Sequence, residues 1–205
     1  MQINKEPEYE KKLMKKNQKD WIDYFNSIGQ KMISAPDIYR VAKEENKGLM
    51  ESLRKDFKEI RVITSTKIVY KKDGLNAQIV HDANSQVVSP KKFTVKIPVY
   101  VGQAREDLDT EKYLQVLFDT KDKVSNILKI LNRFDKSRKI YLYTPNQSQR
   151  ADKQVRSVDF YFYDFGRFCV VGGIWFDYYY GVSRGVTVSS AKQTKFSSNK
   201  AIARR

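Results

Sequence analysis

The sequence predicts an α+β domain in which a mainly antiparallel β-sheet packs with N-terminal and central helices. Three observations carry this. Apolar residues fall at helical spacing in two separate blocks, residues 21–60 and 109–134; between and after those blocks the apolar period is two; and the resulting order of helix, helix, strands, helices, strands lacks the regular alternation of a doubly wound fold.

Trp21, Tyr24 and Phe25 stand at i, i+3 and i+4, with Ile22 and Ile28 at the borders of the stripe, which predicts a docked helix after a flexible basic leader over residues 1–20. Ser34-Ala35-Pro36-Asp37 predicts a helix start: a hydroxyl cap, a proline in the first turn and an acid three residues after the cap satisfy free amides and suit the dipole. Ile38, Val41, Leu49, Leu53, Phe57 and Ile60 continue that face, and Asn46-Lys47-Gly48 splits it into two helices.

At Arg61 the period changes. Val62, Thr64, Thr66, Ile68 and Tyr70 alternate with polar positions, and Lys72-Asp73-Gly74 predicts a hairpin turn into Leu75, Ala77 and Ile79. A second turn at Ala83-Asn84-Ser85 leads through Val87, Val88 and Pro90 to a strand of Phe93, Val95, Ile97 and Val99. Pro98 within that strand assigns it to a sheet edge. Helix returns at Asp109-Thr110 with Leu114, Leu117 and Phe118. A second start, Asp119-Thr120-Lys121-Asp122, precedes Val124, Ile127, Leu128, Leu131 and Phe134. A short strand from Lys139 to Tyr143 opens a polar loop over residues 144–154. Residues 155–188 then hold eleven aromatic side chains, with Asp164-Phe165-Gly166-Arg167 as the turn between a strand over Val155–Tyr163 and one over residues 168–171. Gly172-Gly173, Gly181 and Gly185 are expected to separate shorter strands. The expected organisation is one domain over residues 21–188 and a disordered basic tail over 189–205.

Charge bounds the function. The chain carries 39 Lys+Arg against 24 Asp+Glu, a formal +15 on 205 residues. Such an excess attracts polyanions and makes nucleic acid, DNA or RNA, the leading partner class. Its apolar content of 40% is too rich for a disordered protein. One cysteine, Cys169, and one histidine, His81, exclude a disulfide framework and classical zinc sites, and no cofactor is expected. Neither a long apolar run nor an apolar signal core is present, so an intracellular protein, cytoplasmic or nucleoid-associated, with no membrane partner is expected.

The candidate nucleic-acid contacts are the cations of acid-poor stretches. Residues 83–105 contain Lys91, Lys92 and Lys96 and no acid; residues 136–156 contain Lys136, Arg138, Lys139, Arg150, Lys153 and Arg156 against Asp152 alone. Arg184 and, beyond it, Lys192, Lys195, Lys200, Arg204 and Arg205 follow the last acid of the chain, Asp177. Gathered on one face, these side chains would track phosphates and make affinity fall with salt. In Phe160-Tyr161-Phe162-Tyr163 a strand sends both Phe to the core and both Tyr, Tyr161 and Tyr163, to the other side, where they can stack unpaired bases or simply be covered. Gly181-Val182-Ser183-Arg184-Gly185 reads either as an anion-binding nest or as a tight turn. It has neither the spacing nor the Lys-Ser/Thr pair of a Walker loop, and Gly166-Arg167-Phe168-Cys169-Val170-Val171 lacks the order of an RNA-recognition-motif signature.

Two other classes fit the charge. A divalent-metal nuclease would use a subset of Asp37, Asp56, Asp119 and Asp122; Pro36-Asp37 and Asp56-Phe57-Lys58 imitate a restriction-type pattern, but both fall in predicted helices where that pattern wants a strand. A structural subunit of a nucleoprotein assembly, packing against copies of itself as a homo-oligomer, would use the tyrosine-rich segment as its interface. His81, in phase with Ala77 and Ile79, is expected to be a hydrogen-bonded structural histidine, and no Ser/His/Asp constellation can be built by spacing.

Overall fold

The computed structural model of the chain describes residues 2–3, 16–72, 75–98, 101–135, 139–145, 155–163, 167–175 and 181–188. In chain order these form β1 (Gln2–Ile3), α1 (Gln18–Ser27), β2 (Lys31–Met32), α2 (Ala35–Lys43), α3 (Lys47–Glu59), β3 (Val62–Tyr70), β4 (Asn76–His81), β5 (Lys91–Lys96) and β6 (Val101–Gln103). They continue with α4 (Leu108–Leu117), α5 (Val124–Leu131), β7 (Ile140–Tyr143), β8 (Val155–Tyr163), β9 (Arg167–Trp175) and β10 (Gly185–Thr187). The architecture is α+β. A seven-stranded sheet runs β5-β4-β3-β8-β9-β7-β6 and is antiparallel except where β7 pairs parallel with β9; a small sheet runs β1-β10-β2.

Local chemistry sets the helix starts. The Asn17 side chain accepts from the Asp20 amide at 2.8 Å, and Trp21, Ile22 and Phe25 of α1 bury against Met32 and Ile63. At α2, the Asp37 carboxylate reaches back to accept from the Ser34 amide at 2.9 Å, as the sequence predicts. Asn46 caps α3 by accepting from the Leu49 amide, which explains why the apolar face pauses there. Two predicted starts shift. The cap of α4 is Asp107, whose side chain accepts from the Thr110 amide at 2.8 Å, and α5 begins after Lys123, its Val124 amide donating to Glu111 of α4 at 3.0 Å.

All five helices bury apolar residues, and α2 to α5 share one core with the inner face of the large sheet. Phe57 of α3 is its hub, with ring centroids 5.3 Å from Phe134, 6.1 Å from Phe160 and 5.2 Å from Phe168. The edge position expected for the Phe93 strand is the one β5 occupies. Gly172 and Gly173 do not end a strand; they lie inside β9. A Cβ on Gly172 would sit 2.7 Å from Ile68 Cδ1 and 3.2 Å from the Tyr113 hydroxyl, so the glycine serves close packing rather than a turn. Within the stretch expected as a leader, β1 pairs with β10 and α1 begins at Gln18, whereas residues 4–15 and the 189–205 tail lie outside the described residues. Among the described residues no helix is long and apolar enough to cross a membrane.

Candidate nucleic-acid interface

The strand registers define which side chains share the sheet's outer face, away from α2 to α5; α1 packs on that face at Ile63, which stands opposite Asp159. Tyr161 of β8 stands opposite Cys169 of β9, which stands opposite Tyr141 of β7; Tyr163 stands opposite Arg167. Two guanidinium groups lie on these rings: Arg61 Cζ is 4.3 Å from the Tyr161 centroid and Arg167 Cζ is 5.1 Å from that of Tyr141. Tyr161 and Tyr163 meet edge to face at 6.3 Å. Tyr163 is 48% exposed, Arg167 is exposed, and Tyr141, Tyr143, Tyr161 and Arg61 are half-buried. Phe160 lies in the core and Phe162 packs against it, so the alternation expected of this strand holds. Burial pushes the Tyr161 and Tyr143 phenols up and the Cys169 thiol up to about 11, which leaves that cysteine uncharged beneath the tyrosines.

Farther along the same face the lysines gather. Lys92 of β5 and Lys67 of β3 flank Val80 in one row, followed by Thr94, Gln78, Asn76 and Lys96. Burial first and Lys92 second lower the Lys67 ammonium from its ordinary value. Lys91 and Lys96 are exposed but ion-paired with Asp119 and Asp109, and Lys139 is exposed just ahead of β7. Lys136, Arg138, Arg150, Lys153, Lys192, Lys195, Lys200, Arg204 and Arg205 lie outside the described residues.

Two candidates are removed from any phosphate-tracking surface. Arg156 shares a row with Ile68 on the core side and is 1% exposed. Arg184 is equally buried, its Nε donating to Asp56 of α3 at 2.6 Å and its Nη2 to Ser52 Oγ at 2.8 Å. The surrounding Gly181-Val182-Ser183-Arg184-Gly185 segment is buried throughout, and Ser183 Oγ donates to the Ile63 carbonyl. A Cβ at Gly181 would fall 2.3 Å from Ile63 Cδ1, and one at Gly185 1.8 Å from Gln30 Oε1. These glycines admit neighbouring side chains, not an anion.

The acids proposed for a nuclease are committed to cations. A cleft of about 290 Å³ between α2, the end of β4 and the end of α4 is lined by Lys31, Asp37, His81, Asp82, Lys91 and Asp119, among others. At its floor buried Lys31 donates to Asp37 at 2.7 Å and Asp82 at 2.8 Å; burial alone would lower this ammonium, but the two carboxylates outweigh it and hold it raised. Asp122 is held down to about 2 by hydrogen bonds from Lys43 and Tyr39, and Asp56 belongs to Arg184. Among the described residues no three histidine, cysteine or acidic side chains gather to hold a metal ion. His81 is buried and its pKa lowered by burial; Nε2 donates to the Val116 carbonyl at 2.9 Å and Nδ1 accepts from Thr66 at 3.1 Å, which is the structural role its strand phase predicts.

Arg61 and Arg167 are the functional candidates that sequence reasoning missed. Each immediately precedes or opens a strand, at a position read as a boundary or a turn, and only the register places it over a tyrosine. No family model, no curated protein and no solved structure matches the chain.

Proposed function

We propose that the chain is a nucleic-acid-binding protein without catalytic activity, and that its ligand is single-stranded. The observation that carries this reading is the outer face of β7, β8 and β9, where Tyr141, Tyr161 and Tyr163 lie with Arg61 and Arg167. Aromatic rings accept unpaired bases of any sequence, and arginines beside them meet phosphates or stack on bases in turn. Lys67 and Lys92 extend positive charge along that face, and a chain-wide excess of +15 raises the encounter rate with any polyanion.

The test is a titration of labelled unpaired oligonucleotides at several salt concentrations. Tyr163→Ala removes the most exposed of the described rings on this face and leaves the core intact, so single-strand affinity is expected to fall about 5- to 150-fold, the range of one lost base stack. Equal affinity for the variant and the native chain rejects the tyrosine face as the site. The acid-free tail supplies further phosphate contacts in this reading. Truncation after Val188 is expected to flatten the salt dependence while leaving the thermal midpoint in place, and unchanged binding rejects that contribution.

A further inference from the structure

The cations of α3 form a feature separate from the tyrosine face. Lys47, Arg54, Lys55 and Lys58 lie within one stripe of the helix, which spans about 16 Å from Lys47 to Lys58 at the ordinary rise per residue. They line an open groove of about 760 Å³ together with Arg133, Ser52, Met50 and a single carboxylate, Glu51. The opposite side of α3 carries Leu53 and Phe57 into the core against β8 and β9, so the sheet stands between this groove and the tyrosines.

The groove is built rather than incidental. Arg54 donates from Nε to the Phe134 carbonyl at 2.7 Å and from Nη2 to the Arg133 carbonyl at 3.1 Å. Arg133 donates from Nη1 to the Ala42 carbonyl at 2.7 Å and pairs with Glu45 at 2.8 Å. Backbone carbonyls thus fix both guanidinium planes before any ligand arrives, which lowers the ordering entropy of binding. Lys47, Lys55 and Lys58 are exposed, and neither they nor Arg54 form an ion pair with a carboxylate of the described residues, in contrast to Lys43, Lys91 and Lys96.

We propose that this groove is a second nucleic-acid site, one that takes the phosphodiester backbone of a duplex. Its lining includes no aromatic ring for unpaired bases to stack on, whereas cations spaced along a rigid helix, with the Arg54 guanidinium held among them, suit phosphates held at fixed spacing on a paired strand. A membrane surface fits less well, since interfacial helices present a broad apolar face and the one large apolar side chain in this lining, Met50, is half-buried against the core. The chain then engages a duplex on one side of its sheet and a single strand on the other. The proposal extends the nucleic-acid reading but does not depend on the tyrosine face.

The experiment uses the full chain and a blunt duplex of about 20 base pairs, whose length exceeds the stripe several-fold. The native chain is expected to bind the duplex with an affinity that falls steeply with salt. In Lys55→Glu/Lys58→Glu the log–log salt slope becomes shallower by about 2, because each lysine no longer neutralises a phosphate. Lys112→Glu/Lys121→Glu makes the same charge change at exposed positions elsewhere and is expected to leave that slope near the native value. Single-strand binding in the groove variant remains sensitive to Tyr163→Ala. The proposal is overturned if the native chain binds no duplex at low salt, if the two charge-reversed variants lose equally, or if only phosphatidylserine vesicles compete for the groove. Loss of the single-strand response alone would reject the tyrosine face and leave the groove standing.

Discussion

Arg184→Met is expected to destabilise the fold by about 3–5 kcal/mol, a large share of the roughly 5–15 kcal/mol typical of a domain. Arg184 is 1% exposed, and its guanidinium joins β10's approach to α3 by bonding Asp56 and Ser52. The loss arises mostly from what remains: the Asp56 carboxylate, 7% exposed, is left buried without its cation. Burial already pushes the Asp56 carboxyl up, with Arg184 opposing it, so removal of the arginine drives the acid further toward its neutral form. The thermal midpoint should drop by about 6–20 °C for a chain of this length. Replacing both partners, Asp56→Leu with Arg184→Met, should recover much of the loss, because apolar side chains of similar volume leave no orphaned charge. Urea midpoints of the two single variants and the double variant measure the coupling. An Arg184→Met midpoint equal to the native one would show that the pair contributes nothing net.

That arginine also marks where sequence reading stopped. Flanked by glycines and following the last acid, Arg184 has the local signs of a surface clamp, and the carboxylate that buries it lies 128 positions earlier on a different element. Features decided within a few residues were legible. Ser34, Pro36 and Asp37 mark the start of α2, Asn46 marks the break before α3, and alternation of period two marks β3, β4 and β5, because caps and pleats act locally. The two faces of Phe160-Tyr161-Phe162-Tyr163 follow from the same period. Features decided by distant partners were not legible. The parallel pairing of β7 with β9, the two-residue β2 and the passage of β9 through Gly172-Gly173 depend on what packs beside them, and a glycine required by Ile68 and Tyr113 looks in sequence like any turn glycine. The α3 groove escaped for another reason: its lysines are interleaved with Glu51, Asp56 and Glu59, so no run of like charge appears until the helix sorts Asp56 inward.

Asp159→Asn is expected to invert the ranking of stabilities across the pH scale. Asp159 is fully buried on β8, accepts from Ser157 Oγ at 2.9 Å through Oδ1, and has no hydrogen-bond donor on Oδ2 among the described residues. Burial pushes its carboxyl up to about 7, with Ser157 and Arg61 opposing, against about 3.9 in the unfolded chain. Between about pH 4 and pH 7 the unfolded state therefore releases a proton that the native state retains, so native stability falls as pH rises through this window and levels off above it. The full span amounts to about 4 kcal/mol. Asparagine abolishes that slope but introduces a buried amide donor at a cost of about 1–3 kcal/mol. The variant should consequently be less stable than the native chain near pH 4 and more stable, by about 1–3 kcal/mol, near pH 8. Urea midpoints at both pH values read the crossing directly. Parallel profiles would mean that Asp159 does not titrate in this window. Arg61, stacked on Tyr161 at 4.3 Å, is expected to keep its place in the native chain and the variant alike, so single-strand affinity should not follow the stability change.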